Sequence, residues 1–417
     1  MTHLNASITL WQGVGLLATT LLGTGVFILP GLTVDIAGDG ALTAWMVLVA
    51  LIIPITWVFG RLGKRYPSAG GPAHFVGMAF GKSYGQTVGL MFLCLVPIGA
   101  SPAIEMTLQF LEALIPLDRT AFWLVEIAFV ATIFWINWEG VSLSGTVQSA
   151  LTIAIVIVVI ACLVGLVFEP APAASVASWL TPDWLAVLTA VSLGFWSFLG
   201  IEALSHYSEE FADPDRDFGR ALNIGVLLVG AIYLLCTYLV LTVEVPEGTL
   251  PMVAVFDHYL GGGGRWVIGL LGIVSGAATV NVYTSSTARL AYNLAGQGTV
   301  PKWWDNLNRH GVPTRALGTL LILVACILTA SHYLQIHFAT LIIWTNGIIL
   351  FIYSATMFAA VKLLQGNDRK IALLASIIGV LLMFAFFENM LPAIVIAVLL
   401  HLFLSRKKRA DNQYLVK

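Results

Sequence analysis

Long apolar runs alternate with short polar segments along the whole chain of 417 residues. A run of about 20 apolar residues is long enough to cross the hydrocarbon core of a bilayer as an α-helix. Twelve runs are predicted to do so, at 11–34, 41–60, 85–113, 120–138, 145–168, 184–206, 221–243, 266–294, 315–333, 340–363, 370–387 and 390–405, of which the last two are the shortest. The pattern therefore predicts an all-α polytopic membrane protein with about twelve transmembrane helices in a single domain, 1–417.

Composition and charge strengthen this prediction and set the orientation. The chain is 59% hydrophobic and 10% charged, which excludes a soluble domain, and its net charge of −2 indicates no nucleic-acid partner. With the N-terminus inside, all of the 20 basic residues except Arg119 and Arg265 fall in cytoplasmic segments, as the positive-inside rule requires. Both termini are therefore predicted to be cytoplasmic, and the basic tail 406–417 is interpreted as a topology anchor. The first run is too long for a signal-peptide core and is expected to be retained.

The first span carries helix-breaking residues at its centre. Gly23 and Gly25 flank Thr24, and Pro30 follows one to two turns later. Glycine loosens the backbone and proline removes a donor, so the helix is expected to open near Gly23–Gly25. Unpaired backbone groups at membrane depth are tolerated only where they line a cavity inside the protein. The alternative is a kinked helix with no ligand, since glycine and proline are common in spanning helices.

The sixth span repeats this pattern. Residues 193–202 contain Gly194 and Gly200 around Ser197 and an aromatic cluster, and Glu202 follows at the edge of the apolar core. Spans 1 and 6 correspond if 11–168 and 184–363 are two five-span repeats, and an odd number of crossings makes the second copy inverted. The segment 370–405 would then add two further helices. Interrupted helices at matching positions of inverted repeats point to the central site of a transporter.

Four stretches of the chain, taken in order, are similar to one transporter family. They are 23–27 (GTGVF); 65–72 (RYPSAGGP) with 79–81 (AFG); 195–202 (FWSFLGIE) with Glu210, Pro214 and Arg220; and 289–292 (RLAY) leading to 298–301 (GTVP) and 312–313. Together they resemble the amino acid–polyamine–organocation (APC) superfamily over nearly the whole chain, with the greatest likeness to its bacterial amino acid efflux branch. The resemblance implies a secondary transporter with the 5+5 inverted-repeat fold, located in the bacterial inner membrane. It implies export of methionine, leucine, isoleucine or valine by alternating access, without a cofactor or a metal, and it leaves a homodimer open.

The chemistry of a zwitterion assigns roles to the two breaks. The substrate carboxylate is expected on freed N–H groups of the first break, at Gly23, Thr24, Gly25 and Val26, because a helix N-terminus favours an anion. The ammonium is expected to meet freed carbonyl groups near Trp196, Ser197 and Leu199.

The substrate side chain is expected to pack on Phe198, Ala100 and Tyr283. Members of the superfamily that exchange arginine for agmatine carry a polar amide on the third helix where this chain has Ala100, which argues for a neutral, apolar substrate. Trp196 is interpreted as a gate over the substrate, with simple core packing as the alternative.

Two carboxyl groups are candidates for proton coupling. Ionisable groups at membrane depth are costly and usually functional, which singles out Glu202 and Glu105. Alternatively, Glu202 pairs internally and holds spans 1 and 6 together, and Glu105 lies solvated near the outer boundary. Span 5 has no lysine to replace a sodium ion. The hydroxyl groups of Ser275, Thr279, Ser285 and Ser286 on span 8 could supply oxygens for sodium, and the alternative is that they are packing residues. Proton-linked antiport is favoured.

Other functions fit the same pattern less well. An importer or exchanger would have an identical architecture, because no motif reveals the direction of transport. A membrane-bound amino acid sensor would need an output domain, and no soluble segment of that size interrupts the spans. An intramembrane enzyme is disfavoured because the sequence has no histidine-rich cluster, nucleophile elbow or phosphate loop. The four cysteines lie in apolar runs without metal-like spacing and are interpreted as core residues.

Overall fold

A computed structural model describes residues 8–23, 25–68, 70–140, 145–169, 182–205 and 208–415. Within these ranges the chain is built from α-helices, and nine of them are long and apolar enough to cross a membrane. These are spans 2 to 10, with bounds Gly40–Arg65, Lys82–Glu112, Arg119–Trp138, Gly145–Phe168, Trp184–Ser205, Pro214–Val240, Gly264–Gly296, Thr314–Leu334 and Phe338–Leu363. Two shorter helices, Gly71–Phe80 and Pro251–Leu260, lie between spans. The predicted all-α polytopic architecture is confirmed.

Span 1 is discontinuous, as predicted. Its first helix, Leu10–Leu22, begins at a capping box in which Thr9 and Gln12 satisfy each other's backbone N–H groups. Residues 23 and 25–28 form turns, and the second helix, Leu29–Ala37, carries Pro30 in its first turn, where the missing N–H is not needed. Helix Leu10–Leu22 is therefore too short to cross a membrane by itself.

Span 6 is also broken. Helix Trp184–Gly194 starts at Asp183, whose side chain accepts from the N–H groups of Leu185 and Ala186. A 3-10 turn, Phe195–Phe198, follows, and the backbone then becomes extended before it resumes as helix Ile201–Ser205. Gly200 has a φ of 129°, a conformation open to glycine but not to other residues. Gly200 therefore joins the extended segment to the second half-helix.

The C-terminal pair differs from the two separate spans that were expected. Helices Gly366–Ala385 and Phe387–Leu415 meet at a bend of 113°, so that by length and composition the pair counts as one broken span or re-entrant unit. Asp368, Arg369 and Lys370 occupy the start of the first helix, and the apolar part of the second, Met390–Arg406, is short.

Spans 3, 6 and 10 form the interior of the bundle. In the apolar window of span 3, 89% of the residues are buried, and 72% are in spans 6 and 10, against 22% in spans 4 and 5. Span 2 packs on span 7, span 3 on span 8 and span 4 on span 9. Such contacts are expected if two sets of five spans are related by a two-fold axis; the repeat boundaries stay a prediction.

Candidate substrate site between the broken spans

A cavity lies where the two breaks meet spans 3, 8 and 10. Its walls include Leu21 of span 1, Ala100 of span 3, Trp196 and Leu199 of span 6, Tyr283 of span 8 and Thr345 of span 10. Its volume is about 50 Å³, measured as the space open to the centre of a water molecule. Every transmembrane element that the sequence analysis connected with substrate contributes to this cavity.

The structure brings together four of the predicted contact residues and separates others from them. Ala100, Trp196, Leu199 and Tyr283 all line the cavity, and Trp196 is only 8% exposed. Ser197 and Phe198, by contrast, are fully buried in the protein interior and lie outside the lining. Phe198 therefore supports the wall from behind. Thr20 and Thr279, which also line the cavity, were not assigned as substrate contacts from the sequence.

The backbone of the first break is hydrogen-bonded in this conformation. The N–H groups of Gly25 and Val26 both donate to the carbonyl oxygen of Leu22, at 3.2 and 3.0 Å. The carbonyl of Gly23 accepts from the Ser275 hydroxyl at 2.8 Å. Thr24 lies outside the described residues. A carboxylate could therefore reach the amides of this break only by displacing the Leu22 carbonyl.

Hydroxyl groups from spans 7 and 8 hold the first break in place. Tyr233 donates to the carbonyl of Leu21 at 3.1 Å, and its ring stacks on Trp45 with centroids 4.4 Å apart. A β-carbon at Gly23 would overlap the Thr279 hydroxyl and lie 2.8 Å from the Ser275 carbonyl. Two of the four span 8 residues considered as sodium ligands, Ser275 and Thr279, thus pack directly against the opened segment.

Glu202 organises the second break. Its side chain is fully buried, and one carboxylate oxygen accepts from the Gly200 N–H at 2.9 Å and from the hydroxyl of Tyr353. The other oxygen accepts from Tyr283 at 3.3 Å. The Tyr353 hydroxyl also lies 3.1 Å from the carbonyl of Phe198, another group released by the unwinding. One carboxyl group therefore ties span 6 to spans 8 and 10.

The second proton-coupling candidate lies elsewhere. Glu105 lines a separate cavity between spans 3, 4, 9 and 10, together with Arg119 at the start of span 4. It does not contribute to the wall of the central cavity. Of the two predicted proton carriers, Glu202 is the one joined to the central cavity, through Tyr283.

On the face that carries the basic loops, hydrogen bonds join the start of span 1 to the segment after span 6. The Ile8 N–H donates to the carbonyl of Glu210, and the Ala212 N–H donates to the carbonyl of Ile8, both at 3.0 Å. The Lys64 ammonium adds a hydrogen bond to the Asp215 carbonyl at 2.7 Å. The start of span 1 is thereby tied to the segment after span 6.

The sequence of this chain was compared with known families and with known proteins of similar sequence. The model of the amino acid permease family matches residues 8–405. The chain is 35% identical to the L-methionine/branched-chain amino acid exporter YjeH of Escherichia coli K12 over 418 aligned residues, which cover 99% of each chain. It is 27% identical to the uncharacterized amino acid permease YecA of Bacillus subtilis, over 88% of this chain and 87% of YecA. It is 22% identical to the putrescine transporter PotE of Escherichia coli K12, over 77% and 76%.

These matches extend over both broken spans and the cavity between them. The chain belongs to the amino acid permease family of the APC superfamily and is a multi-pass membrane transporter, not an enzyme.

Proposed function

We propose that this protein exports neutral, apolar L-amino acids, namely methionine, leucine, isoleucine and valine, across the bacterial inner membrane by alternating access. The observation that carries the proposal is the size and chemistry of the central cavity. The cavity is small, about 50 Å³, and the side chains of methionine, leucine, isoleucine and valine are small as well, with three or four non-hydrogen atoms each.

The lining favours an apolar side chain over a cationic one. Leu95, Val96, Ala100, Leu199 and Val280 present hydrocarbon to the cavity. Within the part of the chain that the structure describes, no carboxylate belongs to the wall, and burying an ammonium without a partner is costly. The relatives named as transporters of putrescine, and of cadaverine and lysine, handle such cations. The cavity of this chain therefore matches the substrates named for YjeH better.

The charged part of the substrate would use the breaks. In the proposed bound state, the carboxylate replaces the Leu22 carbonyl as the acceptor for the amides of Gly25 and Val26, and the ammonium meets carbonyl groups of the unwound segment near Trp196. Because these groups are already paired in the present conformation, binding would rearrange the break. Trp196, on the cavity wall, would then act as the gate that covers the substrate.

Coupling is proposed to involve a proton on Glu202. This carboxyl group contacts Tyr283, which lines the cavity, and Tyr353, which holds the unwound backbone. A change in its charge would therefore reach both the substrate pocket and the break. With the basic loops and both termini in the cytoplasm, antiport against inward-moving protons would drive amino acids outward.

Counterflow in proteoliposomes with a panel of amino acids tests the proposal. Exchange of methionine, leucine, isoleucine and valine is expected, and exchange confined to lysine or putrescine would contradict it. Flux without any partner protein separates a transporter from a sensor, and accumulation in energised inside-out vesicles separates an exporter from an importer.

Glu202→Gln is expected to flatten the pH dependence of flux, whereas Glu244→Gln, on an exposed loop, should leave the pH dependence unchanged. An unaltered pH profile in Glu202→Gln would exclude this residue as the proton carrier.

A further inference from the structure

A second cavity lies apart from the substrate site, on the face predicted to be external. It is bounded by the end of span 3, the start of span 4, the end of span 9 and the start of span 10, and its polar walls come from Glu105, Arg119, Glu126, Ser331, His332 and His337. By the same measure as the central cavity its volume is about 240 Å³. None of these residues has a role in the proposed transport cycle except Glu105, which the structure separates from the central site.

Two buried polar groups of this cavity have no partner. Glu126 is 5% exposed, and its carboxylate makes no hydrogen bond or ion pair with the residues that the structure describes. Ser331 is 8% exposed, and its hydroxyl also has no hydrogen-bond partner among them. Buried polar groups in proteins are nearly always paired, and leaving one unpaired is destabilising. An acceptor-lined wall of this kind is suited to a ligand that brings hydrogen-bond donors.

The charges of the cavity are arranged by depth. Glu105 and Glu126 both line its wall, so that their charged forms repel each other and favour a cation between them. Arg119 is exposed at the edge, where its guanidinium donates to the His332 carbonyl at 2.5 Å. A guanidinium has five N–H donors, so that Arg119 can bind an anion at the same time. The cavity thus offers acceptors inside and a cation at its opening.

The opening is built from packed side chains. The His332 ring stacks on Trp123, with centroids 5.3 Å apart, and the Nδ1 of His337 accepts from the Ala339 N–H at 3.3 Å. In the described part of the chain no three histidine, cysteine, aspartate or glutamate residues are placed to hold a metal ion. A primary ammonium group fits better, because its three donors match two carboxylates and a hydroxyl.

We propose that this cavity is a second binding site, for a zwitterion whose primary ammonium lies between Glu105 and Glu126 and whose anionic group binds Arg119. Two sources supply this chemistry: a free amino acid on the external side, and a lipid with an ethanolamine phosphate headgroup. A lipid can approach the two spans that bound the cavity, because only 22% of the apolar window of span 4 and 33% of that of span 9 are buried. The site is independent of the direction and coupling of transport.

The test uses the full-length protein in nanodiscs of phosphatidylcholine, in an Ala100→Leu background that fills the central cavity. One arm adds L-leucine and measures its binding by equilibrium dialysis. The other adds phosphatidylethanolamine and counts retained lipids by native mass spectrometry. Phosphatidylcholine serves as the internal control, because its trimethylated nitrogen has no N–H donor.

Binding of at least one probe is expected, and the arm that responds identifies the source. The Glu105→Gln/Glu126→Gln double variant should weaken that binding about tenfold or more, the effect of losing a charge-assisted hydrogen bond. Arg119→Ala should weaken it as well, whereas Glu247→Gln, on an exposed loop, should not. Unchanged binding in the double variant, with normal elution on size exclusion, would overturn the proposal, and so would the absence of binding in both arms. Neither result would bear on counterflow through the central cavity of the wild-type protein.

Discussion

Filling the central cavity from span 3 should change substrate selection in a defined way. Ala100→Leu adds three carbon atoms to the wall. They would enter a cavity of only about 50 Å³. A leucine or methionine side chain would then lose burial for about as many of its four non-hydrogen atoms as the substitution adds, which is three.

The expected effect follows from the transfer free energy of those atoms. At ~0.8 kcal/mol for each buried methylene, three groups correspond to about 2.4 kcal/mol. This is about a 60-fold loss of affinity for leucine. Alanine, whose side chain is one methyl group, should lose little. The variant should therefore remove most of the preference of the protein for leucine over alanine.

Half-saturating concentrations in proteoliposome counterflow, measured separately for leucine and alanine, give the two affinities. Ala150→Leu is the matched control, because Ala150 is exposed on span 5 and the same atoms would enter lipid. An equal loss for both amino acids would show that Ala100 acts on the fold and not on the substrate side chain. Wild-type affinity for leucine would show that the side chain binds elsewhere, and either result would refute the reasoning.

Two further predictions concern the unwound segment of span 6. Gly200→Ala forces a φ of 129° on a residue with a β-carbon and brings that carbon to 2.8 Å from span 1, so that transport should fall. The thermal unfolding midpoint in detergent should drop by more than in Gly248→Ala, because Gly248 also has a positive φ but has open space around it. Equal drops in the two variants would show that the cost comes from the backbone conformation alone. Tyr353→Phe removes the hydroxyl next to Glu202 and should destabilise the protein by about 1–3 kcal/mol and reduce flux. Tyr333→Phe, at an exposed residue, should change neither stability nor flux. Unchanged flux in Tyr353→Phe would show that transport does not depend on this hydrogen bond.

The positions of the breaks could be predicted because their causes are local. Glycine and proline act on the backbone where they stand, so that Gly23, Gly25 and Gly200 marked the opened segments, and Pro30 marked the second half of span 1. The same locality explains why spans 2 to 10 were placed within a few residues, since each depends on a continuous apolar run.

What could not be predicted depends on residues far apart in sequence. Tyr353 lies 151 residues from Glu202, and no local pattern marks it as the partner that holds the unwound backbone. The burial of Glu126 in a cavity depends on how spans 3, 4, 9 and 10 pack, and the sequence of span 4 alone does not reveal it. The bend in the C-terminal pair also depends on packing, which hydropathy does not report.

The pairing of the first break changes how substrate binding must work. The break was expected to present free amides, but the N–H groups of Gly25 and Val26 already donate to Leu22. A carboxylate that takes these donors gains charge-assisted hydrogen bonds only after the neutral ones are lost, so that the net gain is smaller than in an empty site. The same exchange releases the Leu22 carbonyl and alters the segment that Ser275 and Tyr233 hold. In the proposed bound state, binding energy would thereby be directed into moving span 1, because a ligand that interacts differently with two conformations shifts the balance between them. A transporter needs this coupling, and a rigid, preformed site would lack it.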